Sequence, residues 1–133
     1  MSRPAMRPIA AAGLALEAVG VAALAGWQIV ALSSGDTTST VSAIALLVLT
    51  VIGAVGLAAF AVAVQRGSSM ARSGGIVAQL LVLAVALGAA TGEYAHPAIA
   101  VAIAVPAVIE LVLLVITAGQ AARADAKATD DGA

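Results

Sequence analysis

The residues best suited to do chemistry in this chain are two carboxylic acids, Glu17 and Glu110, each set inside a long apolar run. A charge at the centre of a bilayer costs about 2.5–3.5 kcal/mol on insertion scales, so an acid placed there needs a partner, a proton or a function. Depth brings a third residue to a similar level. At the α-helical rise of about 1.5 Å per residue, Glu17 lies about 14 Å beyond Pro8, Glu110 about 14 Å before Gly119, and Gln79 about 10 Å beyond Arg72. Two carboxylates in contact do not both ionise easily, and one proton can be shared between them. A protonated acid can donate to Gln79 or to the other acid. Two chemistries follow for Glu17, Glu110 and Gln79. One is polar fastening between helices, worth about 1 kcal/mol. The other is a proton or cation site switched by protonation. Fastening comes first, because nothing in the sequence supplies a substrate pocket.

The neighbours of these residues say which helix faces turn inward. On a helix, positions three and four apart share a face. Glu17 then shares its face with Gly13, Gly20, Leu24 and Gln28, and Gln79 with Gly75, Leu83, Ala86 and Ala90. Both polar residues follow a glycine by one turn, as Gly13-x-x-x-Glu17 and Gly75-x-x-x-Gln79, which reads as a trace of duplicated hairpins. Pro106 stands one turn before Glu110; it removes a backbone donor and frees the Ala102 carbonyl.

The elements that must carry these residues are membrane spans. Of 133 residues, 62% are hydrophobic and 10% charged, and mean hydropathy is +1.12. A soluble domain is about half apolar and about a quarter charged; this chain cannot bury its excess in a core of its own, so lipid must solvate it. Four apolar segments, 8–32, 41–64, 73–91 and 97–120, each approach or exceed the roughly 20 residues that cross a bilayer as a helix. Helices are required because hydrocarbon cannot satisfy backbone polar groups. The first break, 33–40, is rich in turn residues, and Pro97 suits the first turn of the last helix. The predicted fold is all-α, a four-transmembrane-helix bundle in up-down-up-down order forming one domain over 1–120. The remainder, 121–133, is expected to be a charged cytoplasmic tail whose first part extends the fourth helix and whose rest is disordered.

Basic residues orient the bundle. Arg3 and Arg7 precede the first span, Arg66 and Arg72 lie in the second loop, and Arg123 and Lys127 follow the fourth span; the first and third loops carry Asp36 and Glu93 instead. The positive-inside rule puts both termini in the cytoplasm. Trp27 and Tyr94 then fall at the outer interface. Arg3 and Arg7 with Ala23-Leu24-Ala25 resemble a signal peptide, but the apolar run continues through Leu32 and Glu17 interrupts it, which reads as an uncleaved span.

Composition also bounds function. There is no cysteine for disulfides, thiol catalysis or thiolate metal sites, and His96 is the one histidine. A net charge of −1 gives no basic field for nucleic acid. Ser68, Ser69 and Ser73 have no base partner. His96, Asp36 and Glu93 read as loop residues, and Arg66 and Arg72 as orientation signals that contact lipid headgroups. The expectation is a non-enzymatic, multi-pass protein of the cell membrane, with no cofactor and no metal. Its partners would be the lipid bilayer and a homodimer or larger membrane complex.

Two resemblances bear on this. The stretch Met70-Ala71-Arg72-Ser73-Gly74-Gly75-Ile76-Val77-Ala78-Gln79-Leu80-Leu81, a basic turn entering a helix with an early Gln, resembles uncharacterised four-helix integral membrane proteins of high-GC Gram-positive bacteria. Members often carry a polar residue midway along the first helix, where Glu17 stands; they usually have more basic residues in the middle loop and an aromatic where Met70 stands. The resemblance implies a membrane location and four helices, without an activity. Glu17 alone is similar to the first-helix acid of the small multidrug resistance transporters. Those surround their acid with aromatic rings that hold cationic drugs, whereas the first helix here has only Trp27 and the third has none. The leading expectation is an accessory or structural subunit. The rival is a small proton-coupled transporter, oligomeric, using Glu17 and Glu110.

Overall fold

The regular elements of the protein, seen in a computed structural model that describes residues 3–35, 37–93 and 95–132, are four helices: α1 (Arg3–Ser33), α2 (Thr40–Gln65), α3 (Ser69–Thr91) and α4 (Pro97–Asp131). Each is long and apolar enough to cross a membrane. Asp36 and Tyr94, read above as an outer-loop charge and an interface aromatic, lie outside the described residues.

Local chemistry sets the helix ends. The Ser39 side chain accepts from the Ser42 amide and opens α2; Ser68 accepts from the Ala71 amide at 3.2 Å and opens α3. Each satisfies one of the donors a helix start leaves over. Between them, Gly67 has φ +83°, a left-handed conformation that suits glycine. Its amide donates to Val64 O at 2.9 Å and the Ser68 amide to Ala63 O at 3.0 Å, a paired stop for the last carbonyls of α2.

The helices outrun the apolar segments at their charged ends. α1 begins at Arg3 rather than Pro8, and α3 at Ser69 rather than Ser73. The largest departure is the tail: α4 continues to Asp131, where a disordered end was expected. The reason is composition. Ala121, Ala122, Ala124, Ala126 and Ala128 are strong helix formers, and the helix they extend is already nucleated. α4 also stays helical through Pro106.

α1 packs most extensively on α2, and α3 on α4; α1 meets α4 and α2 meets α3 over smaller areas. Burial is concentrated at one end, around the start of α1, the end of α2, the start of α3 and the second half of α4, with Leu14, Val64 and Leu114 fully enclosed. From Thr40 to Phe60, α2 buries no residue. Lipid tails are as apolar as these side chains, so close packing rather than water exclusion must hold the helices together. Glycine supplies that closeness at three places. A Cβ on Gly74 would stand 2.7 Å from the Phe60 ring of α2, and one on Gly75 3.0 Å from Leu114 Cδ1 of α4. A Cβ on Gly13 would overlap the Glu110 carboxylate. Gly20, Gly53, Gly56 and Gly88 face open space, so at those positions the small residue reflects composition rather than a seam.

Candidate functional site

Of the three polar residues singled out in the sequence, Glu17 and Gln79 are in contact, and Glu110 lies against Gly13, one turn before Glu17 on α1. Glu17 comes from α1, Gln79 from α3 and Glu110 from α4. Gln79 Nε2 donates to Glu17 Oε2 at 2.6 Å, a charge-assisted length if the acid is ionised. Gln79 is fully buried and Glu110 is 2% exposed, while Glu17 is half-buried. The hydrogen-bond partner of Glu17 is therefore the glutamine, and Glu110 stands beside this pair, seated on Gly13.

The glycine spacing acquires a physical meaning here. Gly13 and Gly75 each precede a polar residue by one turn, and each receives a side chain of α4: Gly13 takes Glu110, and Gly75 takes Leu114 one turn further along. α4 thus lies against α1 and α3 through two consecutive turns, with Glu17 and Gln79 each one turn beyond its glycine. The inward face expected of α3 holds at Gly75, Gln79 and Ala86, all buried. That of α1 needs correction. Gly20 opens to space and Leu24 is 48% exposed, while Ala10, Leu14, Ala18 and Ala25 are buried instead. The core stripe runs beside Glu17, which explains why that acid is only half enclosed.

The cluster is short of hydrogens. Gln79 Oε1 and Glu110 Oε1 are buried and have no hydrogen-bond partner among the described residues. An amide oxygen and an ionised carboxylate both only accept, whereas a protonated carboxyl carries one donor. A proton on Glu110 would turn one of these acceptors into a donor. No group of three or more His, Cys, Asp or Glu side chains suited to a metal occurs among the described residues.

Sequence reading missed two polar features. Gln28 of α1 donates from Nε2 to Thr50 Oγ1 of α2 at 3.1 Å, and the Thr50 hydroxyl donates to Leu46 O at 2.8 Å. The signal was available, since Gln28 shares the polar face of Glu17, but a threonine inside α2 reads as neutral on its own. Arg72, expected at lipid headgroups, is 8% exposed and donates from Nη1 to Gly67 O at 3.0 Å, bracing the α2–α3 turn. It lies one and two turns before Gly75 and Gln79, on the buried face of α3. Arg66, by contrast, is exposed. His96 is also exposed and precedes α4 without a side-chain capping bond. Comparisons with known protein families, with curated proteins and with solved structures found no match to this chain.

Proposed function

We propose that this chain is a non-enzymatic, multi-pass protein of the cell membrane, an accessory or structural subunit. In this reading the Glu17–Gln79–Glu110 cluster fastens an α1–α2 hairpin to an α3–α4 hairpin. The helices run up-down-up-down with both termini in the cytoplasm. Supporting that orientation, Arg7, Arg72, Arg123 and Lys127 all border one cleft, so these charges gather on one side of the apolar spans. The observation that carries the fastening role is the 2.6 Å bond from Gln79 to Glu17, which crosses between two hairpins that pack on each other less extensively than their own helices do. The long apolar surface of α2 is free to pack on a second copy or on another membrane subunit. The test is recovery of the full chain from membranes in mild detergent. Wild type should bring a stable partner, a second copy or another membrane protein, and Glu17→Leu should weaken that association. A chain that purifies alone refutes the accessory role.

A second reading is a small proton-coupled transporter, favoured by the unpartnered buried oxygens of Gln79 and Glu110. A buried carboxyl within a span is a starting point for proton coupling. Proton-coupled flux in proteoliposomes should then fall with Glu17→Gln and Glu110→Gln. Unchanged flux removes this reading and leaves the first.

A further inference from the structure

Beyond the intramembrane cluster, a cleft of about 720 Å³ opens at the charged end of the helices. Arg7 of α1, Arg72 of α3, and Arg123 and Lys127 of α4 all line it, and Asp125 is the one acid among the described residues that line it. Four of the six basic residues of the chain thus converge from three helices, a net of three positive charges in one cleft. We propose that this cleft binds a phosphate group.

Four features make it a built site rather than a scatter of surface charge. Arg72 is held: it is 8% exposed, with Nη1 bound to Gly67 O, and it still lines the cleft. A guanidinium has five N–H donors in a fixed fork, so one backbone bond leaves most of that fork for an anion. Arg7 is placed over the same turn, where a Cβ on Gly67 would stand 3.1 Å from its Nη1. Arg123 and Lys127, one turn apart on the extended part of α4, reach the cleft because that helix does not stop at the end of its apolar run. Ser69, the first residue of α3, adds the positive end of a helix dipole to the same wall.

The charge selects the ligand class. Planar guanidinium forks match phosphate oxygens in pairs, and a cleft of this size admits more than a bare ion. Its position narrows the sources to two. Thr117 and Gln120, in the lining, belong to the last turn of the apolar run 97–120, and Arg123 and Lys127 lie beyond it, so the cleft spans the level where hydrocarbon gives way to headgroups. The phosphate could belong to an anionic phospholipid or to a soluble phosphorylated compound.

The test uses the full chain in neutral detergent. Bound phosphatidylglycerol and phosphatidylcholine are counted by native mass spectrometry, and pyrophosphate is titrated calorimetrically. The variants avoid the buried Arg72: R123Q/K127Q removes two exposed cleft charges, and R66Q removes a charge outside the cleft. The expected result is retention of phosphatidylglycerol over phosphatidylcholine, reduced by at least about tenfold in R123Q/K127Q and unchanged in R66Q. Pyrophosphate binding with the same variant pattern, without retained phosphatidylglycerol, supports the site with a soluble ligand instead. Binding of neither probe overturns the proposal. So does equal loss in R66Q and R123Q/K127Q, because that would be general surface charge.

Discussion

The seat of Glu110 on Gly13 can be tested by adding one methyl group. A Cβ on Gly13 would overlap the Glu110 carboxylate, whereas one on Gly20, two turns along the same helix, would meet nothing within 4 Å. Alanine also gains helix propensity over glycine, up to about 1 kcal/mol. That gain is common to both variants and cancels when they are compared. The steric cost remains. Glu110 is 2% exposed, so a displaced carboxylate moves against neighbouring side chains rather than into solvent; overpacking of this kind costs about 1–3 kcal/mol. Gly13→Ala should therefore be about 1–3 kcal/mol less stable than Gly20→Ala. Truncating the obstructing side chain should abolish the difference: in a Glu110→Ala background, Gly13→Ala should behave like Gly20→Ala, and the double-mutant cycle should return a coupling of the same size. Reversible unfolding in mixed micelles, followed by helical circular dichroism, measures all of these variants. Equal midpoints for the two alanine variants, or additive effects with Glu110→Ala, would refute both the contact and the placement of α4 against α1.

The remaining predictions use the same assay unless stated. Glu17→Leu leaves the buried Gln79 amide without its acceptor and should cost about 1–3 kcal/mol, whereas Glu17→Gln keeps an acceptor oxygen and should cost less than half as much; equal losses would show that the 2.6 Å bond contributes nothing. Gly74→Ala should destabilise by about 1–3 kcal/mol because its Cβ meets the Phe60 ring, and Phe60→Leu should relieve that cost; no relief would displace α2 from α3. Arg72→Gln removes the brace on Gly67 O and should cost about 1–2 kcal/mol, checked also by faster proteolysis within 65–69. In whole cells, an impermeant thiol reagent should label Ser34→Cys and not Ser68→Cys; the reverse pattern would invert the proposed orientation.

Much of the site was legible in the sequence because hydrocarbon makes polar residues conspicuous. Glu17, Gln79 and Glu110 stand out against their runs, and a constant rise per residue places them at similar depths without knowledge of any contact. Their meeting required more. Depth is a one-dimensional quantity, whereas contact depends on which helices are neighbours and how each is rotated. Rotation is where the reading of α1 failed: the face of Gly20 and Leu24 is open, and Ala10, Leu14, Ala18 and Ala25 form the buried stripe. In so Ala-rich a helix, several faces look equally apolar, and periodicity cannot choose among them. The same ambiguity hid Arg72, whose type suggests an interface and whose position on α3 buries it.

By itself, then, the sequence determined that the chain is all-helical, where its four apolar spans fall and which polar residues lie within them. These follow from backbone hydrogen bonding in lipid and from local composition, which act along the chain. Tertiary structure alone decided that Gln79 rather than Glu110 pairs with Glu17, that Gly13 and Gly75 are seats for α4, and that four basic residues from three helices close around one cleft. Those outcomes depend on side-chain volumes meeting across helices, and no local pattern encodes which surface a glycine will face.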